Sequence, residues 1–133
     1  MGISLFVLLL NACFAKADSS AEIVRYLGTA GAFGQQSISL LCADGAKKCR
    51  IKEMKNAEVL GQAELESAEA EKILGEFKSG VGKSFAAVSN PALSWSLHYR
   101  GENLFGSVSR KFGNSAATPS LMKLELELRS RLK

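Results

Sequence analysis

The residues of this chain with chemical potential are two closely spaced cysteines, a single histidine, a run of glutamates and several clustered glycines. Cys42 and Cys49 flank Ala43-Asp44-Gly45-Ala46-Lys47-Lys48. In an oxidising compartment an even pair this near in sequence is read as a bridge, here across the base of a hairpin turning at Asp44-Gly45. The gap is too long for a CxxC redox motif, and two thiolates with the distant His98 do not complete a tetrahedral zinc set. No metal and no cofactor is therefore expected. His98 falls on the polar side of its segment, with no Ser or Cys nucleophile signature and no acid to orient it, so no catalytic residue is named. Glu64, Glu66, Glu69, Glu71 and Glu76, interspersed with Lys72 and Lys78, read as a solvated face.

Gly80-Val81-Gly82-Lys83-Ser84 looks like the tail of a P-loop. Phe77, however, fills the leading glycine position, and a helix precedes it where a strand is required. No nucleotide is expected. Gly28, Gly31 and Gly34 do not have the dinucleotide-binding spacing and read as turn geometry. They surround Phe33, an apolar side chain in a segment expected to be exposed. Glycines let a partner's backbone approach closely, and aromatic residues commonly anchor interfaces. The candidate recognition residues are Gly28, Gly31, Phe33 and Gly34, with Asp44, Lys47 and Lys48 of the neighbouring disulfide loop as a second contact. The competing reading has Phe33 folding back over the sheet edge.

These residues need elements to position them. Glu22 to Thr29 is rich in β-formers and reads as a strand, with a short helix capped by Ser19 and Glu22 as competitor. Ser37 to Cys42 and Cys49 to Met54 are the strands of the disulfide hairpin. Val59, Gly61, Ala63 and Leu65 alternate as a fourth, weaker strand. The period then changes: Ala70, Ile73, Leu74 and Phe77 recur at helical spacing, with Ser67 as N-cap and Gly80 as the stop, giving a helix over 67–79. A loop over 80–92 follows, with Asn90-Pro91 as its turn signal. Leu93, Trp95, Leu97 and Tyr99 alternate with Ser94, Ser96 and His98, and residues 104–110 return as the second strand of a hairpin. Trp95 reads as core rather than ligand platform. Thr118-Pro119 is a cap followed by proline at the first helical position, and Leu121, Leu124, Leu128 and Leu132 share a helical face. Leu124, Leu126 and Leu128 would also suit a strand; the cap favours the helix. The fold class is α+β: a largely antiparallel sheet of two hairpins plus an N-terminal strand, covered on one face by two helices.

The N-terminus carries the apolar run Leu5 to Leu10, followed by Ala15-Lys16-Ala17. The run is far short of the roughly 20 apolar residues of a membrane span and fits a cleavable signal peptide over 1–17, with cleavage before Asp18. No Lys or Arg precedes the run. Leu10-Asn11-Ala12-Cys13 resembles a bacterial lipobox, with Asn11 a poor fit, and makes Cys13 the alternative site of lipidation. A secreted or periplasmic domain over 18–133 is expected, lipid-anchored at the membrane in the alternative. Membrane contact is expected only through the leader or that lipid. The full chain carries 17 Lys and Arg against 13 Asp and Glu, a formal charge of +4. Removing Lys16 with the leader lowers it to +3. Without a basic stripe interleaved with aromatics, no nucleic-acid partner is expected.

The order of elements resembles the emfourin-type inhibitors of metalloproteases. The resemblance rests on the turn Gly28-Thr29-Ala30-Gly31-Ala32-Phe33-Gly34, the Asp44-Gly45 hairpin and Leu65 with Glu69-Ala70 opening the Ile73-Leu74-Phe77 helix. The Trp95, Leu97, Tyr99 strand, its hairpin and the C-terminal helix complete it, over about residues 22–132. The chain departs from that family in its disulfide and in the sequence of the turn, so no inhibitory residue carries over.

The leading functional reading is a small, exported, non-enzymatic binding protein with a protein partner, of which a hydrolase or protease inhibitor is the specific form. The alternatives are a structural or accessory cell-envelope protein and, third, a small hydrolytic enzyme.

Overall fold

The computed structural model describes residues 19–28, 31–43, 45–82, 91–109 and 118–132. The expected leader, Cys13 and Asp44 lie outside the described residues.

Six strands and two helices follow in the order β1 (Ser19–Tyr26), β2 (Gln35–Cys42), β3 (Lys48–Lys55), β4 (Glu58–Glu66), α1 (Ser67–Val81), β5 (Pro91–Tyr99), β6 (Glu102–Ser109) and α2 (Thr118–Ser130). The strands form one sheet in the order β4-β3-β2-β1-β5-β6, and every neighbouring pair is antiparallel. Strict alternation builds its two faces. Ile23 lies opposite both Ile38 and Trp95, Leu40 opposite Ile51, and Leu97 opposite Leu104; all are buried on one face. The helices cover that face with Ala70, Ile73, Leu74, Phe77 and Val81 of α1 and Leu121, Leu124 and Leu128 of α2. The α+β class with a largely antiparallel sheet under two helices is therefore the observed fold.

Several boundaries differ from expectation. The first strand runs from Ser19 to Tyr26 rather than from Glu22 to Thr29, because its pairing with β2 begins at Ser19 opposite Cys42. Ser67 is the first residue of α1 rather than its cap; Glu66 takes the cap position in extended backbone without a side-chain cap bond. The helix also runs past Gly80 and stops at Gly82, whose φ of 69° is the left-handed conformation that favours glycine at a helix end. Gly80 is internal because it permits a close crossing: a Cβ there would sit 1.7 Å from the Ser120 Oγ of α2. The second hairpin strand starts at Glu102, two residues before its apolar pattern. Leu126 is 70% exposed between the buried Leu124 and Leu128, which a strand would not allow and a helix requires.

Ion pairs fasten the second helix. Arg25 of β1 meets Glu125 at 2.8 Å, Arg129 bridges Glu125 and Glu53 of β3, and Lys123 meets Glu76 of α1 at 2.8 Å. Along the edge strand β4, a register shift opposite Glu53 and Met54 leaves Leu60 unpaired. With Glu58, Glu64 and Glu66, this bulge is the kind of device that discourages edge-to-edge association.

Candidate functional site

Thr29 and Ala30 lie outside the described residues; around them, three backbone hydrogen bonds join the ends of the β1–β2 connection. Leu27 N donates to Gly34 O at 2.9 Å, Phe33 N to Leu27 O at 3.0 Å and Gly34 N to Gly31 O at 2.9 Å. Gly28, Gly31 and Gly34 have φ of 71°, 80° and 103°, which L side chains rarely adopt. Two of these glycines are also needed for space. A Cβ on Gly28 would lie 2.2 Å from Cδ2 of Phe33, and one on Gly34 would lie 2.1 Å from Oδ1 of Asn56. That Asn56 oxygen accepts from Gln35 N at 3.0 Å, while Asn56 N donates to Gln35 O at 2.7 Å, so the β3–β4 turn braces the glycine turn. Phe33 lies against the Gly28 backbone and is nevertheless 78% exposed. It does not fold back into the core.

The turn adjoins the face of the sheet that the helices leave uncovered. Gly31 packs beside Tyr26, whose hydroxyl shares a 3.0 Å hydrogen bond with Ser94 Oγ. Three register rows cross this face: Met54, Ser37, Val24, Ser94 and Ser107; Lys52, Ser39, Glu22, Ser96 and Phe105; and Arg50, Leu41, Ser20, His98 and Asn103. The surface is serine-rich, with Leu41 and Phe105 about half exposed. His98 sits on it, hydrogen-bonded through Nδ1 to the Asn103 side chain.

Cys42 and Cys49 are joined as a disulfide across β2 and β3, as expected. The intervening loop turns at Gly45, φ 78°, and is tied to the start of α1 by Ser67 N donating to Lys47 O at 3.0 Å. Lys47 and Lys48 are exposed. The expected adjacency of this loop to the glycine turn does not hold. They lie at opposite ends of the eight-residue β2, about 25 Å apart at roughly 3.3 Å per residue. A partner touching both must span the uncovered face.

A concavity of about 770 Å³ lies over α1 between α2 and the β5–β6 turn. Glu71, Tyr99 and Arg100 in its wall are committed to one another, as are Glu76 and Lys123. The Glu71 carboxylate accepts from Tyr99 OH at 2.7 Å and from Arg100 Nε and Nη2 at 3.1 and 2.7 Å. The Tyr99 hydroxyl, then Arg100, hold Glu71 below the usual carboxylate range, while burial, then Glu71, hold Tyr99 above the usual phenol range. Near neutral pH, Glu71 is thus a poor base and Tyr99 a poor acid. Because the folded pKa of Glu71 is depressed, its contribution to stability is present above the unfolded carboxylate range and is lost as pH falls through the folded value. Glu71→Gln should flatten the acid limb of a melting-temperature profile between about pH 6 and 3. The loss near neutral pH should stay below about 1 kcal/mol, since the group is half exposed. Among the described residues, no group of three or more His, Cys, Asp or Glu side chains is arranged to hold a metal.

Leu41 and Phe105 escaped the sequence reading, yet each is out of phase with its strand: Leu41 follows buried Leu40, and Phe105 stands between buried Leu104 and the inward Gly106. Phase, rather than hydrophobicity alone, was the available signal. No family model matches the chain, and neither a curated protein nor a solved structure does.

Proposed function

We propose that this chain is a small exported binding protein, without enzymatic activity, that engages a protein partner through the Phe33 turn and the adjoining uncovered face. The observation that carries this reading is an aromatic ring 78% exposed on a turn fixed by three backbone hydrogen bonds. A ring exposed to water has apolar surface to bury on docking, and backbone bonds already made at Leu27, Phe33 and Gly34 lower the entropy cost. Export is supported by the leader-like N-terminus and by the Cys42–Cys49 disulfide, which persists in oxidising compartments. Among the described residues no helix is long and apolar enough to cross a membrane. Inhibition of a protease is the specific form that the resemblance to emfourin-type inhibitors implies.

The test is capture of partners from the exported fraction by wild type, Phe33→Ala and Lys47→Ala. Phe33→Ala should change stability by no more than about 0.5 kcal/mol, as for an exposed site, and weaken partner binding about tenfold or more, whereas Lys47→Ala should have a smaller effect. Undiminished binding by folded Phe33→Ala defeats the reading, and co-fractionation with membranes in place of a soluble partner favours the envelope role.

A further inference from the structure

Cations are distributed unevenly between the two faces. Arg25, Lys78, Arg100, Lys123, Arg129 and Arg131, all on or beside the helical layer, stand in ion pairs. Among the described residues six cations form none: Lys72 stands alone on α1 and Lys55 at the end of β3, whereas Lys47, Lys48, Arg50 and Lys52 follow one another closely. Alternation explains their placement: Cys49 and Ile51 are buried beneath the helices, so residues 48, 50 and 52 share the uncovered face. Their Cα atoms repeat about every 6.8 Å along the strand.

The two sides of this row differ. On β4, Glu66 lies opposite Lys48 and Glu64 opposite Arg50, without coming within ion-pair distance. On β2, Leu41 lies opposite Arg50 and Ser39 opposite Lys52, so among the described residues that flank carries no carboxylate, and across it on β1 stands Glu22. A hollow of about 260 Å³ lies beside the row, lined by Leu41, Ala43, Lys48, Cys49 and Arg50, with Glu64 of β4 at its other side.

We propose that the β3 row with Leu41 is a docking surface for an extended acidic segment of a partner protein. Alternate side chains of an extended segment repeat at the same spacing as the row, so successive carboxylates meet Lys48, Arg50 and Lys52. One apolar side chain of the segment enters the hollow beside Leu41. A nucleic acid fits less well, because no aromatic residue is interleaved with the row on which a base would stack. This inference rests on the binding-protein reading and names the chemistry of its partner.

The probe is a short labelled peptide alternating Glu and Ser with one central Leu, titrated by fluorescence anisotropy against the intact protein. Saturable binding that weakens with added salt is expected. Lys48→Glu/Arg50→Glu/Lys52→Glu should lose at least about tenfold, and the milder Lys48→Gln/Arg50→Gln/Lys52→Gln should lose binding too, each with an unchanged circular dichroism spectrum. Lys72→Gln, which removes an exposed cation of the helical face, should bind this peptide as wild type does. Absence of saturable binding, or equal binding by the folded neutral variant, overturns the proposal. So does row-dependent binding of a single-stranded oligonucleotide or of phosphatidylglycerol vesicles more tightly than the peptide. If the peptide result fails while Phe33-dependent partner capture persists, the acidic segment is wrong and the binding-protein reading stands. Loss of the Phe33 effect with the peptide result intact overturns the Phe33 site alone.

Discussion

Trp95→Ala should reduce the free energy of unfolding by about 3 to 5 kcal/mol, a large share of the roughly 5 to 15 kcal/mol that holds a domain together. Trp95 sits in β5, between β1 and β6, and is 3% exposed. Its ring meets Phe77 of α1 edge to face at 5.7 Å between centroids and 79° between planes, so it joins the sheet to the helix that covers it. Directly across from it on β6 lies Gly106. A Cβ at Gly106 would lie 2.8 Å from Cζ2 of the indole, so the ring occupies the space that any larger residue would need. Gly106→Ala should therefore cost about 1 to 3 kcal/mol through overpacking. In a Trp95→Ala background that penalty should largely vanish, a non-additivity expected of residues sharing one space. Urea unfolding followed by circular dichroism measures all three variants; fluorescence does not, since Trp95 is the sole tryptophan. Additive losses would show that the indole and Gly106 are not packed as described.

The same pair illustrates what the sequence could convey. Trp95, Leu97 and Tyr99 alternate with polar residues, and alternation of period two is enough to assign a strand and its buried face. The disulfide, the turn at Gly45, both helices and the sheet's one-sided cover were legible for similar local reasons. What lay beyond reach depended on contacts between distant segments. Gly80 reads as a helix stop because glycine usually ends helices, yet it lies within α1 where Ser120 of α2 crosses closely. Ser67 reads as a cap by residue type, while the backbone enters the helix one residue earlier, beside Lys47. The candidate site was half legible. The glycine spacing around Phe33 marked an ordered, exposed turn, but the distance from that turn to the disulfide loop is set by the length and pairing of β2. The basic row of β3 escaped the sequence reading, because only strand alternation brings Arg50 and Lys52 onto one face with Lys48.

Removing the bridge with Cys42→Ser/Cys49→Ala should lower stability by about 2 to 3 kcal/mol, the chain-entropy value for so short a ring, and the melting temperature by roughly 10 °C, while leaving the fold intact. Alanine suits position 49 because Cys49 is buried opposite Leu65, where an unpaired hydroxyl would add its own penalty; serine suits the half-buried Cys42. The fold should survive because the bridge duplicates constraints already present. The β2–β3 ladder is paired from Gln36 and Lys55 to Leu41 and Arg50, and β3 is held on its other side by β4. The loop is anchored separately through Ser67 N and Lys47 O. The disulfide thus acts mainly by restricting the unfolded chain. That origin gives a sharper expectation than the size of the loss: a reductant added to wild type should bring its melting temperature near that of the double variant, and the same reductant should leave the variant unmoved. A variant that fails to fold would mean that the bridge organises the hairpin. Two alkylatable thiols at Cys42 and Cys49 of the native protein, counted by mass spectrometry, would show that it does not form.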